Sequence, residues 1–379
     1  MKYLRFLLVA LLAIGAALAT AAFAFSRGAA PATARETVRI HPRVHERWRV
    51  PIDADVVGLP ASDQRGVVVT AGGSEVVAIS RDGNLEWTTP VEGALANAPR
   101  IDGDRVFVAG KRVVFALNRD TGQVVWSAAT TGDKDDNRAN RPVVAADTVV
   151  FTTANGVTVG LDRATGSERW RLVLPTASTA EPAAGQSAAG SPVVVVVGIA
   201  QWWGLDPTTG ATLWSGDLGV YGTSSPVVYP DGLDLVAAVA SDEHVFAVDA
   251  RTGAPRWDAT ADQSELFQVP VVADNGNELL VPDHWGRLTA YNPYDGRRLW
   301  SARGPDTSAE FGEPVLVADR LVALPLDGHG PRLASPRGSF RLRPPVDGFG
   351  VGELGGGGRQ LVVTTAGKPR NYVLLYDVG

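Results

Sequence analysis

The side chains best suited to holding a small polar ligand recur at one position, just ahead of a proline that opens a β-branched run. Asn97, Asn140, Arg141, Ser191, Ser224, Ser225, Gln268, Glu310 and Glu313 all fall there, before Pro99, Pro142, Pro192, Pro226, Pro270 and Pro314. Amides, hydroxyls, a guanidinium and carboxylates drawn from separate segments supply both donors and acceptors. Brought to one opening they would bind a small polar ligand, with Arg141 placed to meet an acidic one. A water-filled mouth lined with polar groups accounts for the same residues without any ligand.

Reactive chemistry is scarce elsewhere. With no cysteine in the chain, thiolate nucleophiles, thiolate metal sites and lipidation at Cys are excluded. His244 (SDEHVFAVD) and His284 (PDHWGRLTAYN) each enter a hairpin, at spacings that build no cluster, so no metal site is expected. The acidic stretches DKDDN (133–137) and DNGNE (274–278) lack the twelve-residue EF-hand spacing and read as solvated loops. No nucleophile elbow, P-loop or dinucleotide fingerprint occurs, and the Gly355–Gly358 run leads into no helix. No catalytic residue is therefore assigned. Trp202, Trp203 and Trp285 lie outside the repeat positions described next; adjacent tryptophans on a strand point to opposite faces, which leaves one free to meet a partner or a sugar. Packing inside the fold is the alternative.

What must position these residues is a repeat. AISRDGNLEW (78–87), LNRDTGQVVW (117–126), LDRATGSERW (161–170), LDPTTGATLW (205–214), VDARTGAPRW (248–257) and YNPYDGRRLW (291–300) align without gaps at their ends. Their tryptophans, Trp87, Trp126, Trp170, Trp214, Trp257 and Trp300, are 39, 44, 44, 43 and 43 residues apart. Each unit runs from the proline through short apolar strands and ends in an Asx–Gly turn and a Trp strand. No unit contains an amphipathic helix. Four short strands in about 40–45 residues describe a propeller blade. At the turn, Ser80, Asn118, Asp162, Asp206, Asp249 and Asn292 are expected to accept from backbone N–H groups downstream. Gly83, Gly122, Gly166, Gly210, Gly253 and Gly296 supply positive φ, and the Trp ring is expected between neighbouring blades with its N–H bonded.

A seventh, degenerate unit spans 313–342, with Pro314, Ser335 and Gly338 in place and Leu342 where Trp is expected. An eighth begins near Phe349 and stops at Gly379 without its Trp strand. The missing strand is at the start: HERWRVP (45–51) places Trp48 39 residues before Trp87. Pairing it with the last three strands closes the ring and removes two open sheet edges. The expectation is an all-β, eight-bladed propeller over 46–379.

Ahead of it, Lys2 and Arg5 precede an uncharged run, Phe6–Phe25, long enough to cross a bilayer, with a small-x-small site at Ala22–Ala24. Residues 1–25 read as a signal peptide or a retained anchor, 26–45 as a linker, and the body as extracytoplasmic. A net charge of −6 and the lack of a basic run argue against nucleic acid as a partner.

The x-Asx-x-x-Thr-Gly-x-x-x-Trp pattern, recurring in phase, resembles the tryptophan-docking motif of the pyrroloquinoline quinone (PQQ)-like repeat family, over residues 46–379. That resemblance implies one of two roles. One is that of BamB-like propellers, which are non-catalytic scaffolds for envelope proteins. The other is that of quinoprotein dehydrogenases, which hold PQQ with calcium. The dehydrogenases are longer and commonly carry a vicinal Cys pair, absent here; BamB-like proteins are lipoproteins anchored through Cys, also absent here. The function expected is a non-catalytic envelope scaffold without cofactor. The alternatives are a PQQ-binding dehydrogenase or sensor and a carbohydrate-binding propeller.

Overall fold

In a computed structural model, the described residues are 44–378 except 94–96, 131–138, 179, 220–223, 242–243, 261–268, 274–275, 284–286, 304–314, 319–320, 325–331, 336–337, 342–349, 354–359 and 365–370. The expected N-terminal helix and nearly all of the linker lie outside them, as do Leu342 and Pro314.

Every regular element described is a β-strand, and the strands form eight four-stranded antiparallel sheets. Seven blades follow the chain in simple up-and-down order, at 56–90, 100–129, 143–173, 183–217, 227–260, 271–303 and 315–341. In the eighth, the strands Gly350–Glu353, Gln360–Thr364 and Asn371–Val378 are completed by Val44–Ile52, whose Trp48 lies opposite Leu375. The N-terminal strand thus supplies the outer strand that the C-terminus lacks. Innermost strands touch between blades 1 and 2 and between successive blades from 3 to 8, and that of blade 8 meets that of blade 1.

The core lies between blades. Alternation with period 2 sends Val193, Val195 and Val197 of blade 4 against Leu235, Ala237 and Val239 of blade 5, while Val194 and Val196 pack with Val143 and Val150 of blade 3. Both faces of a blade are therefore buried. This corrects the expectation of an exposed tryptophan at Trp202–Trp203. The two rings do point to opposite faces, but Trp202 packs into the blade 4–5 layer and Trp203 into the blade 3–4 layer, at 4% and 7% exposure. Trp285 is outside the described residues.

The Asx–Gly turns behave as their chemistry requires. Asn118 Oδ1 accepts from the amides of Asp120 and Thr121 at 3.0 and 2.9 Å, and Asp162, Asp206, Asp249 and Asn292 repeat the pattern. The shorter Ser80 turn bonds Asn84 N. Each turn receives the tryptophan of the preceding blade. Trp48, Trp87, Trp126, Trp170, Trp214 and Trp257 donate through Nε1 to the carbonyls of Arg81, Arg119, Arg163, Pro207, Ala250 and Pro293, at 2.7–3.1 Å. The rings lie on the turn glycines: at Gly166 (φ +74°) a Cβ would come within 2.6 Å of Trp126 Cδ2. In blades 1–6 the residue opposite the Trp on the third strand of its own blade is small: Ala78, Ala116, Gly160, Gly204, Ala247 or Ala290; in blade 8 it is Leu375.

Two substitutions test this construction in opposite directions. Gly166→Ala combines a left-handed backbone with a clash against Trp126, so it is expected to destabilise by about 2 kcal/mol or more in urea unfolding. In blade 3 the two-residue hairpin Ala146–Asp147 has φ of +47° and +58°, values that favour Asn-Gly. The double change Ala146→Asn, Asp147→Gly is expected to raise stability by about 1 kcal/mol by the same measurement.

Candidate functional site

The innermost strands of blades 2–5, with Val269 and Pro270 ahead of that of blade 6, line an open cavity of about 380 Å³. Val143, Val144, Pro182, Pro226, Val227 and Pro270 line it together with Arg100, Asp102, Glu181 and Ser225, and polar atoms make up the larger part of its exposed wall. A second cavity of about 430 Å³ continues along the innermost strands of blades 2–4, sharing Asp102, Val144 and Ala184 with the first and adding Asp147, Arg163 and Gln186.

Among the described residues expected at the mouth, Asn97, Asn140, Arg141 and Ser225 join one blade to the next, and Ser224 bonds within its own blade. Asn97 Nδ2 donates to Ala139 O at 2.5 Å, linking blade 2 to the segment entering blade 3. Asn140 Nδ2 donates to Thr152 Oγ1 and Ala180 O, both at 2.8 Å. Ser224 Oγ donates to Ser225 O and accepts from Ala240 N, and Ser225 Oγ accepts from Glu181 N at 2.9 Å. Arg141 lies 3.9 Å from Glu181 Oε2. Gln268, Glu310, Glu313 and His284 are outside the described residues, as is 133–137.

Ser191 is a correction. Pro192 opens the second strand of blade 4, and Ser191 sits in the hairpin before it, where its amide bonds Ser187 Oγ. The innermost strand is Ala183–Gln186, preceded by Glu181 and Pro182. Glu181 is therefore the residue at the mouth, and the sequence reading passed over it. Spacing held the signal: the blade-opening prolines of blades 2, 3, 5 and 6 precede their Trp by 27, 28, 31 and 30 residues, Pro182 precedes Trp214 by 32, and Pro192 by 22.

Comparison with known proteins fits this geometry. The family model described as outer membrane protein assembly factor BamB matches residues 35–201 and 203–330. The chain belongs to the BamB family of PQQ-like propellers. BamB from Moraxella catarrhalis superposes with a TM-score of 0.68 at 17% identity, covering 88% of this chain and 100% of that one. The quinohemoprotein alcohol dehydrogenase of Comamonas testosteroni gives 0.67 at 13% identity, covering 88% of this chain and 76% of that one. A second such enzyme, ADHIIG from Pseudomonas putida HK5, gives 0.65 at 13%, covering 89% and 76%. At these identities the likeness is one of fold. No curated protein matches the chain significantly in sequence.

In this BamB-family ring, a set of ion pairs reinforces the end that carries the Asx–Gly turns, and the sequence reading missed it. The residue after the Asx is Arg in blades 1–3. Arg119, wholly buried, reaches back to blade 1, with Nη2 3.0 Å from Asp63 Oδ1 and Nε 3.1 Å from Oδ2, and touches Glu86. Arg163 does the same to Asp102 and Asp104 of blade 2, at 2.6 and 2.9 Å. Arg81 reaches Gln360 of blade 8. In blade 5, Arg256 binds Asp231, Asp234 and Asp249. The signal was an Asx–Arg pair in one unit and an Asp in the first hairpin of the unit before it.

These partners set the protonation of the carboxylates. Burial pushes the Asp63 carboxyl upward, but the Arg119 guanidinium, Arg65 and the Gly66 amide outweigh it and hold it below the usual carboxylate range. Asp162 is brought down to about 2 by Arg169 first and by the Thr165 amide and hydroxyl next. A carboxylate with a depressed folded pKa stabilises the fold above its unfolded pKa, near 3.9, and that stability is lost as pH falls through the folded value. Arg119→Met removes one of the two guanidinium partners of Asp63 and leaves Arg65 and the Gly66 amide in place, so it is expected to cost about 1.5–3 kcal/mol at pH 7. The difference from wild type should narrow as the pH is lowered from about 5 towards 2.5 and Asp63 protonates in both proteins. Urea unfolding at pH 7 and pH 3 measures both.

Proposed function

We propose that the chain is a non-catalytic, extracytoplasmic scaffold whose rigid propeller presents its surface to other proteins of the cell envelope. The observation that carries it is how the polar residues at the cavity mouth are used. Asn97, Asn140 and Ser225 bond the segment of an adjacent blade, and Arg141 faces Glu181, so these groups hold blades together instead of converging on an empty point. Membership of the family described as outer membrane protein assembly factor BamB supports the same role and an envelope location, and the apolar run Phe6–Phe25 behind a positive N-terminus supports export.

PQQ with calcium, the cofactor of the dehydrogenase branch, does not suit the residues present. An acidic quinone in the cavity would meet Glu181 and Asp102. Of the nearby cations, Arg141 faces Glu181, and Arg100 Nε donates to Pro142 O at 3.2 Å. Among the described residues no three His, Asp or Glu side chains are grouped to hold a metal ion.

Thermal unfolding of the purified protein with and without PQQ and calcium is expected to give the same midpoint. A ligand at a hundred times its dissociation constant would add about 2.7 kcal/mol, so a clear rise would overturn the scaffold reading and direct attention to Arg141→Ala. Photo-crosslinkers at exposed loop positions in intact cells are expected to yield discrete adducts with envelope proteins. Their absence at every position would also count against it.

A further inference from the structure

Each blade of a propeller leaves its outermost strand with one unpaired edge, and such edges invite other strands to pair unless something blocks them. The outermost strands described here are almost all blocked. Leu85–Pro90 carries Glu86 and Pro90; Glu168–Val173 carries Glu168, Arg169 and Arg171; Thr212–Asp217 carries Gly216 and Asp217. Pro255–Thr260 carries Pro255, Arg256 and Asp258, Arg298–Arg303 has arginine at both ends, and Gly338–Arg341 has Gly338 and Arg341. Val44–Ile52 holds Glu46, Arg47, Arg49 and Pro51. Blade 2 is the exception: Val124–Ala129 reads VVWSAA, with no charge, proline or glycine, and its Val124 and Val125 are 45% and 41% exposed.

We infer that the outer edge of Val124–Ala129 is a docking site for an extended, uncharged, β-branched segment of a partner protein, which adds to blade 2 as a fifth strand. This rests on the scaffold reading and deepens it by naming what the partner presents. The edge itself dictates an extended backbone. The Thr130 amide donates to Arg112 O at 2.9 Å, and the register pairs Ala128 with Val114 and Trp126 with Ala116. In an antiparallel ladder, residues alternate between bonding the partner strand and facing away from it. The N–H and C=O of Ser127 and Ala129 therefore point outward, and only another strand offers donors and acceptors at that repeat. β-Branched side chains suit the rim around Val124 and Val125.

A second copy of this chain is the less favoured occupant. Six residues span only about 20 Å, and two half-exposed valines offer far less apolar surface than the roughly 1,000 Å² a specific dimer buries. Each copy also carries a net charge of −6. A flexible strand from a partner brings neither a rigid bulk nor that charge to the edge, and strand addition draws its affinity from backbone hydrogen bonds.

The test uses the full chain and a fluorescein-labelled peptide of alternating threonine and valine, six residues long with lysines outside, read by anisotropy. Ser127→Pro removes an outward amide and leaves the inner ladder intact; Val125→Lys adds the missing charge at an exposed position. Both variants should keep the wild-type unfolding midpoint. Saturable binding to wild type that weakens about tenfold or more in both variants, and with a peptide N-methylated at alternate residues, supports the docking site. Three results would overturn it: no saturable binding, binding indifferent to both substitutions, or a wild-type dimer in sedimentation that both substitutions dissolve. Envelope crosslinks that persist in both variants while the peptide fails to bind would remove this edge and leave the scaffold reading standing; loss of every envelope crosslink in wild type removes the scaffold reading instead.

Discussion

A tryptophan N–H reaching the carbonyl of the next blade's turn is the contact on which the rest of the ring rests. Each sheet pairs only within itself, so backbone hydrogen bonding alone would leave eight separate four-stranded units with apolar faces. The indole joins them in two ways. Its ring covers apolar area between blades, and its N–H, costly to bury alone, finds one carbonyl at a fixed point in the neighbouring turn. Because acceptor and ring platform belong to the same Asx–Gly turn, the contact sets both the spacing and the tilt of one blade on the next.

Several features of the sequence follow from that single contact. The Asx side chain holds the turn so that its second carbonyl faces the preceding blade; Gly leaves room for the ring; in blades 1–6 the residue opposite Trp on the third strand is Ala or Gly. Where the residue after the Asx is arginine, the same turn also reaches the first hairpin of the blade before it, as Arg119 does to Asp63. In blade 5 the tie takes another form. Tyr229 Oη donates to Pro293 O at 2.7 Å, the same carbonyl that accepts from Trp257. Covalent closure is replaced by a strand: Val44–Ile52 carries Trp48 to Arg81 O, so the seam between blade 8 and blade 1 uses the same lock as the five joints from blade 1 to blade 6.

The part of this legible in the sequence is the part that repeats along the chain. Trp, Gly and Asx recur at a nearly fixed interval, and from them come the blade, the count of units and the orphan strand at the start. What stayed hidden depends on pairing between units. The Arg119–Asp63 contact joins residues of adjacent units with no shared period, and Glu181 was obscured because two prolines of blade 4, Pro182 and Pro192, precede strands, and Pro192 heads the more conspicuous run of valines. Trp202 and Trp203 misled for a related reason: alternation along a strand says that two faces exist, and only the ring says that both are covered.

A ring closed in this way spends its polar side chains on its own joints. Asn140 bonding the carbonyl of Ala180 and Ser225 bonding the amide of Glu181 stiffen the mouth, and a group held by two or three protein partners has little capacity left for a ligand. Chemistry in the cavity would require freeing such groups, at a cost in the contacts between blades. Surface recognition leaves those groups in place, because the free edges of the outer strands and the loops away from the Asx–Gly turns face solvent. The charges, prolines and glycines along most outer strands show that the rim is where unwanted contacts have to be refused.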